Sequence, residues 1–336
     1  MKMKNLILTA IAALSVLCGC AKSTQPGLND NDKRYLDAWI AQNYPDLAGK
    51  KIFPGFYIMN DVPGTGELIG DAANSPYFRA NYRVTDLNGN ITSSTYESDA
   101  YKLRVHSKVN YYGPFVFERA DNALYAGLDY AITDMKVGGT REVLVPGWLL
   151  TNERFGSEEE YLNSVSGTTA IYSLEITERI PDIRTWEMDS LNRFMTRNYP
   201  SAVMDSAGFF RKTLKEPAGS FSNDTTFYIN YIGRRLDGVV FDTNIADTAK
   251  VHGLYSAFSS YSPVLINWKK KYDEITMTSD KTEVIPGFSY LLSKMGPYEK
   301  AIGMFISSYG YSSTGSGLAI PAYSPLMFEV EVVDNE

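Results

Sequence analysis

The side chains that most often carry metal or covalent chemistry are scarce in this chain. His106 and His252 are its only histidines, Cys18 and Cys20 its only cysteines, and the histidines stand far apart with no cysteine near either. A His/Cys metal site therefore lacks its ligands. A Ser-His-Asp system would have to recruit one of the same two histidines, and neither lies in a recognisable nucleophile elbow. The glycine-rich run Ser312 to Gly317 (SSTGSG) leads to Ile320-Pro321 and not to a helix, so it reads as a loop, not a phosphate cradle. No metal and no cofactor are expected. Glu158 to Glu160 and Lys269 to Lys271 are the main charge runs and read as solvated surface.

The composition leaves room for chemistry by shape and polarity. Of the 336 residues, 44% are hydrophobic and 13% aromatic, with 24 Tyr, which suits a packed, strand-rich protein and argues against disorder. The length exceeds the roughly 100–200 residues of one domain, so two are expected. The net charge of −7 argues against nucleic acid as a partner.

The N-terminus reads as an export signal. Lys2 and Lys4 precede an apolar run from Leu6 to Leu17 that is too short to span a bilayer of ~30 Å. It ends in Leu17-Cys18-Gly19-Cys20, which resembles the bacterial lipobox. That resemblance implies a signal over residues 1–20, a lipid on Cys20, and a protein anchored in a bacterial cell envelope, expected at the outer membrane facing the periplasm. Residues 21–32 (AKSTQPGLNDND) are polar with Pro and Gly, and are expected to be a flexible tether.

The two halves resemble each other. YLDAWIAQNYP, ending at Tyr44-Pro45, matches SLNRFMTRNYP, ending at Tyr199-Pro200. Tyr82 then pairs with Tyr231, Tyr130 with Tyr290, Met135 with Met295 and Leu174 with Val330, at offsets of about 150–160 residues. Each half opens with a helix stopped by proline: Leu36, Trp39 and Ile40 share one face in the first, Leu191, Phe194 and Met195 in the second. Alternating segments such as Phe227 to Ile232 and Leu326 to Val333 read as half-buried antiparallel strands. Gly287 to Met295 reads as a short helix with Phe288, Leu291, Leu292 and Met295 on one face, and Gly127 to Met135 is its counterpart. The expected class is α+β, with two curved antiparallel sheets, each wrapped on a short helix and preceded by an N-terminal one, over residues 33–180 and 181–336.

The second half contains, in order, Tyr231-Ile232-Gly233, Asp237 to Asp242 (DGVVFD), Val284 to Phe288 (VIPGF), Lys294-Met295, Tyr309-Gly310-Tyr311, Ile320-Pro321 and the strand Leu326 to Glu331. From about Thr225 to Val333 this series resembles the FKBP family of peptidyl-prolyl isomerases. The resemblance implies a prolyl pocket walled by Tyr231, Phe241, Ile285, Phe288, Tyr311, Ile320 and Phe328, with Phe288 as its floor where the family usually has tryptophan. It implies that the Ile285 N–H and the Tyr311 hydroxyl bind substrate carbonyls and that Asp242 supplies polarity beside the twisting bond. The arginine that often follows this aspartate in the family has no counterpart in residues 243–250. The partners implied are proline-containing clients and the family's macrolide inhibitors. The long segment Thr243 to Thr282, with Tyr255, Phe258, Tyr261 and Trp268, either caps the pocket or forms an elaborated strand pair with its own aromatic cluster.

The first half keeps frame residues such as Tyr82, Gly127 and Met135, but Thr92 stands near the aspartate position, Leu128 replaces the floor aromatic and Phe155 the hydroxyl-bearing tyrosine. It is expected to be catalytically silent, serving as spacer, dimerisation surface or client-holding surface. The function implied is a membrane-anchored isomerase assisting the folding of exported proteins. The alternative is a noncatalytic binding module or chaperone on the same fold.

Overall fold

A computed structural model describes residues 27–70, 73, 76–165, 167–277 and 282–334. Cys20 and the rest of the expected signal lie outside the described residues. Among those that are described, no helix is long and apolar enough to cross a membrane.

Helix α1 (Asp30–Asn43) buries Leu36 and Ile40 and ends at Tyr44, since the residue before a proline disfavours helical geometry. Asp30 to Asp32, expected at the end of the 21–32 tether, are helical instead. The side-chain amide of Asn29, which is buried, donates to the carbonyls of Leu162 and Ser164 at 3.0 Å each and pins the start of the helix. Helix α5 (Ile183–Asn198) opens the second half in the same way. Its N-cap Asp182 accepts from the Thr185 N–H at 2.7 Å, it buries Leu191 and Met195, and it stops before Pro200.

Between these helices lie β1 (Tyr57–Val62), β2 (Tyr77–Thr85), β3 (Ile91–Ser94), α2 (Glu97–Lys102), β4 (Phe115–Glu118), α3 (Ala126–Ile132), β5 (Thr140–Val145), α4 (Glu158–Leu162) and β6 (Ala170–Ile180). The strands form one antiparallel sheet in the order β1-β5-β6-β2-β3, and β4 shares the outer edge of β2 with β3. After α5 come β7 (Val203–Ser206), β8 (Phe209–Lys215), β9 (Thr225–Arg235), β10 (Val240–Thr243), α6 (Ala246–His252), β11 (Val264–Trp268), β12 (Thr276–Met277), β13 (Thr282–Glu283), α7 (Pro286–Ser293), β14 (Lys300–Phe305) and β15 (Leu326–Val333). Their sheet repeats the first order as β8-β14-β15-β9, with β10 and β11 on the outer edge of β9, and adds β7 at one end and β12-β13 at the other. The registers coincide: Tyr82 faces Leu174 across β2 and β6, and Tyr231 faces Val330 across β9 and β15.

Helix α7 lies on the second sheet with Phe288, Leu291 and Leu292 buried. Its close approach depends on Gly287, where a Cβ would stand 2.5 Å from the ring of Phe305. The described residues of the 243–282 segment take the strand-pair form. Strand β11 extends the sheet, and its buried Trp268 donates to the Leu292 carbonyl at 3.1 Å. Trp268 also meets Phe221, and Tyr255 stacks on Tyr261 with ring centroids 5.1 Å apart.

On α2, beside the first sheet, the fully buried Asp99 accepts from Arg83 (2.6 and 3.0 Å), Ser94 (2.7 Å) and Lys102 (3.1 Å). Burial alone would raise its pKa, but these bonds outweigh it and hold the carboxyl at about 2, below its ordinary 3.8. A depressed folded value means stability that is present above the unfolded pKa and lost as pH falls through about 2. Asp99→Asn is expected to cost about 2 kcal/mol at neutral pH and to flatten the acid limb of a urea-denaturation series between pH 4 and 2. An unchanged acid limb would show that the ion pair contributes nothing.

Candidate functional site

The second sheet gathers the residues named from the resemblance onto one face, against α7. Phe288, Ile320 and Phe328 belong to its buried core, and Tyr231, Phe241, Ile285 and Tyr311 pack against that core partly exposed. The ring of Phe288 lies 4.8 Å from that of Phe328 and 5.6 Å from that of Tyr231. Phe241 meets Phe328 edge-on at 5.6 Å. Gly233 makes this possible: a Cβ there would come within 2.8 Å of Phe241 and 3.0 Å of Phe328.

Asp242 stands at the exposed rim. The register of β10 on β9 shifts between Val240 and Asp242, a bulge that re-aims the strand locally. The Tyr231 hydroxyl donates to Asp242 Oδ2 at 2.9 Å. Burial first, then the charge and the bond of Asp242, push the Tyr231 phenol up from its ordinary value. Burial and the same carboxylate also raise Tyr311, so Asp242, Tyr231 and Tyr311 share one electrostatic neighbourhood. Both phenols are therefore neutral donors at physiological pH. Neither the Tyr311 hydroxyl nor the Ile285 N–H has a hydrogen-bond partner among the described residues. Ile285 is the N-cap of α7 and Pro286 its first residue, so that N–H lies at the positive end of the helix.

Three supporting residues were not picked out from the sequence. The side chain of buried Asn244 accepts from the Tyr231 N–H at 2.8 Å and donates to the carbonyls of Ile229 and Ser262 at 2.9 Å each, replacing strand partners where β10 ends. Thr243 Oγ1 donates to the Tyr231 carbonyl at 2.7 Å, so the backbone on both sides of that ring is fixed. Arg235, also buried, donates to the Ala319 carbonyl beside Ile320 and, at 2.9 Å, to the carbonyl of Val109, in the turn between α2 and β4 of the first half. The only signal for Asn244 was an Asn directly after a strand, which is common in any turn.

The matching registers also correct two positions in the first sheet. Arg83 faces Ser94 as Ile232 faces Thr243, which makes Ser93, not Thr92, the counterpart of Asp242 and Thr92 that of Phe241. The 3-10 turns Gly147–Leu149 and Ser307–Tyr309 follow equivalent strands, so Thr151, not Phe155, stands where Tyr311 does. Phe155 packs instead on Tyr161, with centroids 5.0 Å apart. Among the described residues no group of three or more His, Cys, Asp or Glu could hold a metal.

Residues 219–333 match the profile of the family described as FKBP-type peptidyl-prolyl cis-trans isomerase, and this part of the chain is an FKBP-type domain. Similar solved structures include a peptidyl-prolyl cis-trans isomerase of Pseudomonas syringae pv. tomato (21% identity, 45% of this chain and 96% of that one, TM-score 0.31). Others are the three FKBP domains of wheat FKBP73 (17% identity, 84% and 95%, TM-score 0.29) and FkpA of Escherichia coli (21% identity, 46% and 59%, TM-score 0.32). No curated protein matches the chain.

Proposed function

We propose that the chain is a peptidyl-prolyl cis-trans isomerase whose second half acts on proline-containing clients, and that it assists exported proteins from a membrane to which Cys20 tethers it. The observation that supports catalysis most directly is the placement of two unpartnered donors, the Ile285 N–H and the Tyr311 hydroxyl, around an apolar floor beside Asp242. Rotation about an Xaa-Pro bond faces a barrier of ~18–20 kcal/mol because amide resonance keeps the bond planar. Resonance places negative charge on the oxygen, so an apolar surface that strips water from the prolyl carbonyl disfavours the planar form. Phe288, Phe328 and Tyr231 supply that surface. The two donors hold neighbouring substrate carbonyls while the bond turns, and the Asp242 carboxylate, fixed by Tyr231, favours the twisted amide electrostatically. No proton has to move and no bond has to break. The macrolide inhibitors of the family would take the same apolar floor.

The test is the cis/trans relaxation of a short Xaa-Pro peptide in the presence of residues 21–336. Acceleration above the uncatalysed rate is expected. A folded protein that leaves the rate unchanged would overturn the catalytic reading in favour of a noncatalytic binding module. For the anchor, metabolic labelling with a fatty acid should mark the full chain and fail to mark Cys20→Ala.

A further inference from the structure

A cavity of about 420 Å³ opens in the first sheet, where one face of β2 and β6 meets α3. Its place matches the cluster just described, since Tyr82, Thr92, Ser93 and Tyr172 correspond in register to Tyr231, Phe241, Asp242 and Phe328, and Leu128 is the third residue of α3 as Phe288 is of α7. Two rings of the second site have become Thr92 and Leu128, and the space they would fill is open. The volume lies within the ~300–1,000 Å³ typical of pockets that enclose a ligand.

The lining is selective. Phe78, Phe117, Ile132 and Ile176 make an apolar interior, and none of the described residues that line the cavity is charged, so a charged occupant would meet no opposite charge among them. Tyr82, Tyr125 and Tyr172 also line it, and none of their hydroxyls has a hydrogen-bond partner among the described residues. Burial, with Tyr125 and Tyr82 nearby, raises the Tyr172 phenol to about 12, so it donates as a neutral group across the physiological range. Tyr125 is 45% exposed and marks the mouth. An apolar interior combined with phenolic donors fits an uncharged ligand that is greasy at one end and rich in carbonyls at the other. An extended polypeptide offers that combination at any large apolar residue.

We propose that this cavity is a second polypeptide-binding site, which takes a branched or aromatic side chain of an unfolded client while the tyrosine hydroxyls hold its flanking amide carbonyls. The choice of a polypeptide as occupant rests on the reading of the second half as a polypeptide site. Ser93 and Thr151 replace Asp242 and Tyr311, so the first site holds its segment without turning a prolyl bond.

The experiment is methyl NMR on residues 21–336 titrated with acetyl-Gly-Gly-Xaa-Gly-Gly-amide, where Xaa is Leu, Phe, Pro or Gly. Methyls of Leu128, Ile132, Leu174 and Ile176 report the first site, and those of Ile285 and Ile320 the second, so failure of either site is seen separately. The Leu and Phe peptides are expected to shift the first set and the Gly peptide to leave it unmoved. Leu128→Trp, which fills the cavity, should abolish those shifts and leave isomerase activity intact. Tyr172→Phe, which keeps the packing, should weaken binding about three- to tenfold. The proposal is overturned if no peptide moves the first set, if Leu128→Trp binds like the unaltered chain, or if the Pro peptide binds there more tightly than the Leu peptide. It is also overturned if 2-methylpropanol binds there as tightly as the Leu peptide, since the cavity would then take apolar solutes without reading a backbone.

Discussion

Joining Tyr311→Phe to Asp242→Ala is expected to lower kcat/KM for an Xaa-Pro peptide by about 100-fold, the scale on which placed polar groups act when charge is redistributed in a dry site. The double change removes one unpartnered donor and the carboxylate while leaving every ring of the floor in place. Tyr311→Phe alone should mainly raise KM, because in the proposed function the lost hydroxyl binds a substrate carbonyl in the ground state as well as in the twisted one. Asp242→Ala alone should mainly lower kcat. It also strips the Tyr231 hydroxyl of its acceptor at the rim, where water can replace it at small cost. A double variant that keeps the full rate would mean that burial against Phe288 and Phe328 accounts for catalysis and the polar groups do not.

The largest loss of stability is expected on the joint between α5 and the second sheet. Glu187 is 3% exposed and accepts from both the N–H and the hydroxyl of Ser307, each at 2.6 Å, at the turn that leads to Tyr309 and Tyr311. Glu187→Ala leaves two buried donors without a partner and is expected to cost about 3 kcal/mol in urea denaturation, since each such group costs roughly 1–3 kcal/mol. Glu187→Gln keeps the acceptor oxygen and should cost far less. Burial raises the Glu187 carboxyl above its ordinary 4.5, against the opposing pull of the two Ser307 bonds, so the folded chain holds the proton where the unfolded chain has released it. The contribution is therefore full below the unfolded pKa and declines as pH rises through the raised folded value. The unaltered chain should lose stability relative to Glu187→Gln from about pH 4.5 upward through that range. Parallel pH profiles for the two proteins would rule this out.

Much of the frame could be read from local pattern because its causes are local. The Tyr-Pro pairs at 44–45 and 199–200 end α1 and α5 through the steric rule on residues before proline, which needs no tertiary contact. The alternation in Phe227 to Ile232 and Leu326 to Val333 produced β9 and β15, and the apolar face of Gly287 to Met295 produced α7. The aromatic cluster of Phe288, Phe328 and Tyr231 could be named because an ordered series of short motifs carries it. The tertiary structure decided the rest. The same bulge stands in both halves, and only the paired ladders show that it puts Ser93 opposite Val84 as Asp242 stands opposite Gly233. The 3-10 turn after β5 likewise gives the place of Tyr311 to Thr151 and not to Phe155. Asn244, Arg235 and Glu187 act through partners 13 to 126 residues away, and no helix or strand periodicity links the two ends of such a bond. The open space beside Leu128 is likewise a property of side chains from four strands and a helix, which meet only once the sheet has closed around them.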